Sequence, residues 1–411
     1  MTPSILQHIK VLDLTRVVAG PMATQMLADL GATVYKIEKP GEGDDTRRMG
    51  PFVTLQPPEG GPARSESAAY HAYNRGKQSI TLDLADPRGA ALAQALALRC
   101  DVVVENYKVG TLARYGLDAA TLRAQQPGLI YCSITGFGQS GPYATRPAYD
   151  FITQGLAGLM STCGEADGPP MRTAIPITDA VTGLYATVGI VSALYHRQLT
   201  GQGQTLDMAL LDASVALNGH LAQGYLMGAR VPHRAGNSNP IAAPSEVFAC
   251  ADGDLIVAAG NNLQFKALTE ALGKPELASD PRFASNTARI EHRQALRQQL
   301  APAIARHTRA ELSELMARSG VPSGPINRID EVFADPQVQH RELVQHLGGK
   351  TEGPEAEGAA YPVIRSPLRF SHTPVRHEPS PGLGQHTDAV LQGELGMTAA
   401  EIEQLRSQGV V

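Results

Sequence analysis

Asp179 is the side chain of this sequence with the best case for covalent chemistry. It stands in Pro176-Ile177-Thr178-Asp179-Ala180-Val181-Thr182-Gly183-Leu184-Tyr185, just before a small apolar run of Ala186, Val188, Gly189, Ile190, Val191, Ala193 and Leu194. The pattern predicts a buried helix with an acid at its mouth. The positive end of the helix dipole is expected to keep that carboxylate ionised. Ionised and partly shielded from water, it could act as a nucleophile. Taken alone, the segment better suits a helix cap or a dipole partner, the commoner role of Asp at a helix start, and the rest of the chain is what favours the nucleophile.

Other chemical signatures are missing. No G-x-G-x-x-G follows the first strand and no G-x-x-x-x-G-K-[ST] occurs, so neither usual nucleotide fingerprint stands where it would be expected. There is no G-x-S-x-G nucleophile elbow. No His pair has metal-ligand spacing on a helix, and no metal is expected. Cys100, Cys132, Cys163 and Cys250 are widely spaced. They fit neither a zinc pattern nor a disulfide framework and read as small hydrophobes.

The elements around Asp179 read as follows. Lys10–Leu14, Thr33–Glu38, Ser79–Asp83, Asp101–Asn106 and Leu129–Ile134 are strand-like. Between them Met22–Leu30 and Arg88–Arg99 read as helices, with Gly20-Pro21 as punctuation before the first and Pro87 at a first-turn position of the second. Strands alternating with helices imply a parallel sheet covered on both faces. From about 223 the character changes. Glu246–Cys250 and Leu255–Ala259, joined by Asp252-Gly253-Asp254, read as a hairpin followed by charged helices. Pro-rich connections come next, and Ala399–Ser407 reads as an amphipathic helix. The expected fold is α/β: a Rossmann-like large domain with a parallel sheet and a smaller α+β domain. The expected division is 1–222, a small domain at 223–334, and 335–411 returning to the large domain.

A chain of 411 residues, 43% hydrophobic and 18% charged, has room for two or three domains and a large core. Its net charge of −5 argues against nonspecific nucleic-acid binding and leaves room for a local basic pocket. No apolar run is expected to span a bilayer. The first ten residues lack a signal-peptide core. The protein is therefore expected to be cytoplasmic, with neither membrane nor nucleic acid as a partner.

A series of short segments then resembles a known family. They are Val11-Leu12-Asp13-Leu14, Ala19-Gly20-Pro21, Leu30-Gly31-Ala32, Lys36-Ile37-Glu38-Lys39-Pro40-Gly41 and Gly43-Asp44-Asp45-Thr46-Arg47. Asn74-Arg75-Gly76-Lys77-Gln78-Ser79, Val104-Glu105-Asn106-Tyr107 and Ser133–Gly138 follow, then the Asp179 segment, Gly320–Pro325 and Leu383–Thr387. In this order they resemble the class III CoA-transferases, the group with formyl-CoA transferase, carnitine CoA-transferase and 2-methylacyl-CoA racemase. The dicarboxylate branch is the nearest in likeness.

The resemblance implies that Asp179 is a covalent nucleophile, passing CoA through an aspartyl anhydride and an aspartyl-CoA thioester. It implies an acyl-CoA, such as succinyl-CoA, and a small carboxylic acid as substrates, with no permanently bound cofactor. Val18, Lys39, Lys77, Asn106, Tyr107 and Arg114 match CoA-binding positions. Asp150 matches an acid beside the nucleophile, its other reading being a buried cap. Gly236-Asn237-Ser238 resembles a loop that closes over the site, its other reading being an ordinary turn. Tyr149 stands where the racemases carry His, which disfavours proton exchange at the α-carbon. Val18 stands where formyl-CoA transferase has Gln, which makes formyl transfer less expected. A distal carboxylate needs a cation, and Arg47 and Arg172 are the candidates. The family also implies an interlaced homodimer. The rivals are an acyl-CoA racemase and a non-catalytic CoA-binding protein.

Overall fold

The computed structural model describes residues 3–55, 64–348 and 360–411. The chain divides into two compact units. The first comprises Met1–Leu159, Thr173–Leu226 and Gln339–Val411; the second comprises Met160–Arg172 and Met227–Val338. The segment 160–172, placed with the large domain by sequence, goes with the second unit instead. Its backbone is tied there, with Met171 N–H donating to Cys163 O at 3.0 Å and Gly236 N–H to Gly164 O at 3.0 Å.

The first unit is built on six parallel strands: β1 (Lys10–Leu14), β2 (Thr33–Glu38), β3 (Gln78–Thr81), β4 (Val102–Glu105), β5 (Ile130–Thr135) and β6 (Thr205–Ala209). Their spatial order is β3-β2-β1-β4-β5-β6. Strand order therefore reverses between β1 and β4, where open α/β sheets place ligands at the strands' carboxyl ends. β6 was not foreseen, because Thr205-Leu206-Asp207-Met208-Ala209 is a half-exposed edge with little apolar signal.

The helices that matter here are α1 (Ala19–Asp29), α2 (Ala68–Tyr73), α3 (Pro87–Ala97), α4 (Asp150–Leu156), α5 (Ile177–Thr200), α6 (Asn262–Ala271), α7 (Arg293–Ile304), α8 (Arg309–Arg318), α9 (Thr387–Leu395) and α10 (Ala399–Ser407). α1 starts three residues earlier than expected. Gly20-Pro21 lies inside its first turn, where a missing N–H breaks no helical hydrogen bond.

Alternation along the strands builds two cores. Leu12, Leu14, Tyr35, Ile37, Val103 and Tyr131 pack with Ala93, Leu96 and Ala97 of α3, and with Val390, Leu391, Ile402, Val410 and Val411 from the chain's last segment. On the other face Val11, Val34, Val102, Val104, Ile130 and Cys132 pack with Ala23 and Leu27 of α1 and Ala186, Ile190 and Ala193 of α5. A fully buried Leu or Val contributes about 1.5–3 kcal/mol.

Contrary to the sequence expectation, α5 is long and apolar enough to cross a membrane by length and composition. It is also only half buried. Thr178, Thr182, Gly183, Ala186, Ile190 and Ala193 face inward, whereas Leu184, Tyr185, Val188, Tyr195 and Leu199 are 46–68% exposed.

The second unit has an antiparallel sheet of β7 (Ser245–Cys250), β8 (Gly253–Ala258) and β9 (Ser323–Pro325), in the order β9-β8-β7. Phe248, Leu255, Val257, Phe265, Leu296, Leu300, Leu312 and Met316 join this sheet to α6, α7 and α8. β9 hid in a Pro-rich run, since a Pro at an edge strand costs no ladder bond.

Candidate active site

The turn after β1 is held from below by buried ions. Lys77 Nζ donates to Asp13 Oδ2 at 2.9 Å, Pro21 O at 3.0 Å and Asn74 Oδ1 at 3.0 Å. Thr24 and Thr15 hydroxyls also donate to Asp13. Burial opposes the Asp13 charge, but Lys77 and Lys36 outweigh it and hold the carboxyl far below the usual range. Burial in turn pushes Lys77 down to about 8, with Asp13 resisting. Lys36 Nζ bridges Thr15 O at 2.9 Å and Asp44 Oδ2 at 2.8 Å.

Above this base Val17 has φ +74°. A β-branched residue in that region is strained, and such strain gathers at ligand-holding turns. Across the strand-order reversal, Asn106 accepts from Arg16 N–H at 2.9 Å and donates to Arg16 O at 2.8 Å. The Arg16 guanidinium lies 5.5 Å from the Tyr107 ring centroid. Glu105, at the end of β4, accepts from Tyr107 N–H at 2.8 Å.

Asp179 is the third residue of α5. α5 lies close against α1: a Cβ on Gly183 would sit 2.8 Å from Ala19 O and near Met22. One turn on, the Thr187 hydroxyl is 3.6 Å from Met26 Sδ. The two helices thus advance together, and Asp179, one turn before Gly183, lies at the end where α1 begins. Asp150, buried at the first residue of α4, accepts from Thr178 N–H at 2.8 Å, Thr178 Oγ1 at 2.7 Å and Gln154 Nε2 at 2.7 Å. It thus holds the first turn of α5, next to Asp179, from the start of another helix.

Among the described residues the Asp179 carboxylate makes no hydrogen bond or ion pair. Burial, and then the Asp150 charge, raise it to about 7. The expectation that the helix dipole keeps it firmly ionised is therefore corrected: desolvation and a like charge outweigh the helix terminus. A carboxylate whose two forms are balanced near neutrality, in a partly shielded place, is a reactive-group signature.

The other expected site residues lie in different places along the chain. Val18 precedes α1, and Asn106 and Tyr107 follow β4, all at the carboxyl edge of the sheet. Lys39 and Arg114 are exposed cations, Lys39 beside Glu42. Tyr149 precedes α4 and is 71% exposed. Two cations are corrected. Lys77 is fully buried with all three donors engaged, so it braces the turn instead of facing a ligand. Arg47 holds Glu38 through two 2.8 Å bonds and stacks 3.7 Å from the Tyr70 ring centroid. It pairs with neither Asp44 nor Asp45 and is not available to a substrate carboxylate. Arg172, Gly236 and Asn237 belong to the second unit. The Gly236 stretch is a bonded turn there, with Val247 N–H donating to Asn237 O and Asn239 N–H to Ser245 O.

Sequence reasoning missed Arg16, Tyr73 and Gln154. Burial, and then the charge of Asp179, push the Tyr73 phenol above its ordinary value. The only available signal was position, with Tyr73 directly preceding the Asn74–Ser79 segment.

Residues 6–387 match the family described as CoA-transferase family III. The succinate–glutarate CoA-transferase of Agrobacterium fabrum is 47% identical over 390 residues, covering 94% of each chain. The human succinyl-CoA:glutarate CoA-transferase is 40% identical over 99% of this chain and 90% of its own. Among solved structures, a CAIB/BAIF family protein from Brucella suis superimposes with a TM-score of 0.83 at 42% identity, covering 96% of this chain and all of its own.

Proposed function

The chain belongs to CoA-transferase family III, and from that premise we propose that it moves CoA from succinyl-CoA to a small dicarboxylic acid through Asp179. The observation that carries this reading is an unpaired, half-protonated carboxylate at the mouth of α5, beside the start of α1. Glutarate is the first acceptor to test, because relatives 47% and 40% identical are named for it.

In the proposed sequence an Asp179 oxygen attacks the thioester carbon. The C–S bond breaks, leaving a mixed anhydride and CoA thiolate. The thiolate attacks the Asp179 acyl carbon, and the donor acid departs as carboxylate. The acceptor carboxylate then attacks the aspartyl-CoA thioester, and the returning thiolate cleaves the new anhydride to release acceptor-CoA and free Asp179. Each step exchanges groups of similar energy. Partial burial keeps water from the anhydrides. In this reading CoA runs over the carboxyl edge, near the Val18 turn, Asn106 and Tyr107, with Lys39 and Arg114 available to phosphate oxygens.

The deciding experiment mixes succinyl-CoA with a panel of free acids and detects acyl-CoA products by mass spectrometry. Products formed by the wild type and lost in Asp179→Ala, together with a hydroxylamine-sensitive adduct on Asp179, support the reading. Full turnover by Asp179→Ala sinks it.

The same reading includes an interlaced homodimer. Its support is the apolar outer face of α5, since an exposed patch of this kind marks a contact surface. Light scattering that gives a monomer mass at micromolar concentration would remove this part.

A further inference from the structure

The turn between β1 and α1 is gripped by side chains at three successive residues. Thr15 N–H donates to Asp13 Oδ1 at 2.9 Å, and Thr15 O accepts from Lys36 Nζ of β2 at 2.9 Å. Arg16 N–H donates to Asn106 Oδ1 at 2.9 Å, and Arg16 O accepts from Asn106 Nδ2 at 2.8 Å. Val17 N–H donates to Asp44 Oδ1 at 3.3 Å.

The backbone of the turn explains the grip. Val17 holds φ +74°, a conformation that a β-branched residue leaves unless its surroundings hold it there. The turn also closes tightly on itself, since a Cβ on Gly20 would lie 2.4 Å from Thr15 Cβ. A relaxation at Val17 would pass directly to Val18 and the first turn of α1. That first turn abuts α5 through Ala19 O, 2.8 Å from where a Cβ on Gly183 would stand.

The grips differ in kind. Lys36 and Asp44 form a fully buried ion pair, and Asp44 N–H is held by Glu38 Oε1 at 2.9 Å. They belong to the frame. Asn106 is only half-buried, and it reaches the turn from beyond β4, across the strand-order reversal. The oxygen and the nitrogen of its carboxamide both engage the backbone of one residue, Arg16, as a neighbouring strand would.

We propose that Asn106 is a positioning residue and not a direct CoA contact: its carboxamide fixes the Arg16 peptide groups and so keeps Val17 in the left-handed turn over which CoA lies. This role rests on the CoA path in the proposed function.

The test is the affinity for CoA itself, measured by titration calorimetry on the wild type, Asn106→Ala, Val17→Gly and the double variant. Glycine adopts positive φ without strain, so Val17→Gly removes the need for the clamp. Asn106→Ala is expected to weaken CoA binding about 10-fold on its own. In the Val17→Gly background the same change should weaken it less than about threefold. A direct contact, or a merely structural role, predicts equal losses in both backgrounds, and equal losses would overturn the proposal. So would an Asn106→Ala variant that binds CoA as the wild type does. If Asn106→Ala does not fold, Asn106→Asp carries the same comparison, since it keeps the acceptor for Arg16 N–H and sets a carboxylate oxygen against Arg16 O. A wild type that binds no CoA would overturn the proposed function and this role with it. An active Asp179→Ala would overturn the nucleophile reading alone.

Discussion

Asp13 and Asp179 are two shielded acids of the same unit with opposite fates. Asp13 sits under the first turn of α1 with Lys77, Thr15 and Thr24 upon it, and stays charged far into acid. Asp179 sits at the mouth of α5 with no partner among the described residues and Asp150 nearby, and titrates at about 7. Burial penalises both. The difference is the cation, which makes one acid part of the frame and leaves the other poised to react.

The contrast can be broken at its strongest point first. Asp179→Ala should cost at least about 10³-fold in kcat and leave the fold intact, read by product formation and circular dichroism. Lys77→Met strips Asp13 of its counter-ion, and should destabilise the protein by about 3–5 kcal/mol in denaturant titration. Asp179→Asn should move stability the other way. Because the folded pKa of Asp179 is raised, its protonated form favours the fold. That contribution is complete below pH about 4 and is lost as pH rises through about 7. At pH 8 the Asn variant should therefore be more stable than wild type by roughly 1–3 kcal/mol, with the gain gone at pH 4. The smallest effect sharpens the contrast. The wild-type rate should rise with pH about a midpoint near 7, and Asp150→Asn should lower that midpoint by about one unit.

Much of this was legible beforehand. Five strands of the main sheet, the second-unit hairpin and α10 carry strong periodic or apolar signals, and they form where expected. Asp179 stood out by its place before a long apolar helix. What remained hidden depends on three-dimensional partners. A Lys in a family-like segment reads as a phosphate ligand until Asp13, 64 residues away, is found on its ammonium. Arg47 likewise lies beside Asp44 and Asp45 in sequence and beside Glu38 in space.

The last segment of the chain has a consequence for synthesis. Val390, Leu391, Ile402, Val410 and Val411 close one face of the main sheet, and Val410 O accepts from Asp83 N–H at 2.8 Å. On the ribosome that face stays open until these residues leave the exit tunnel. The central strands are then nearly four hundred residues old (β1 is residues 10–14) and still half covered. Such a nascent chain exposes apolar sheet surface for most of its translation, and is a natural client for chaperones that bind it.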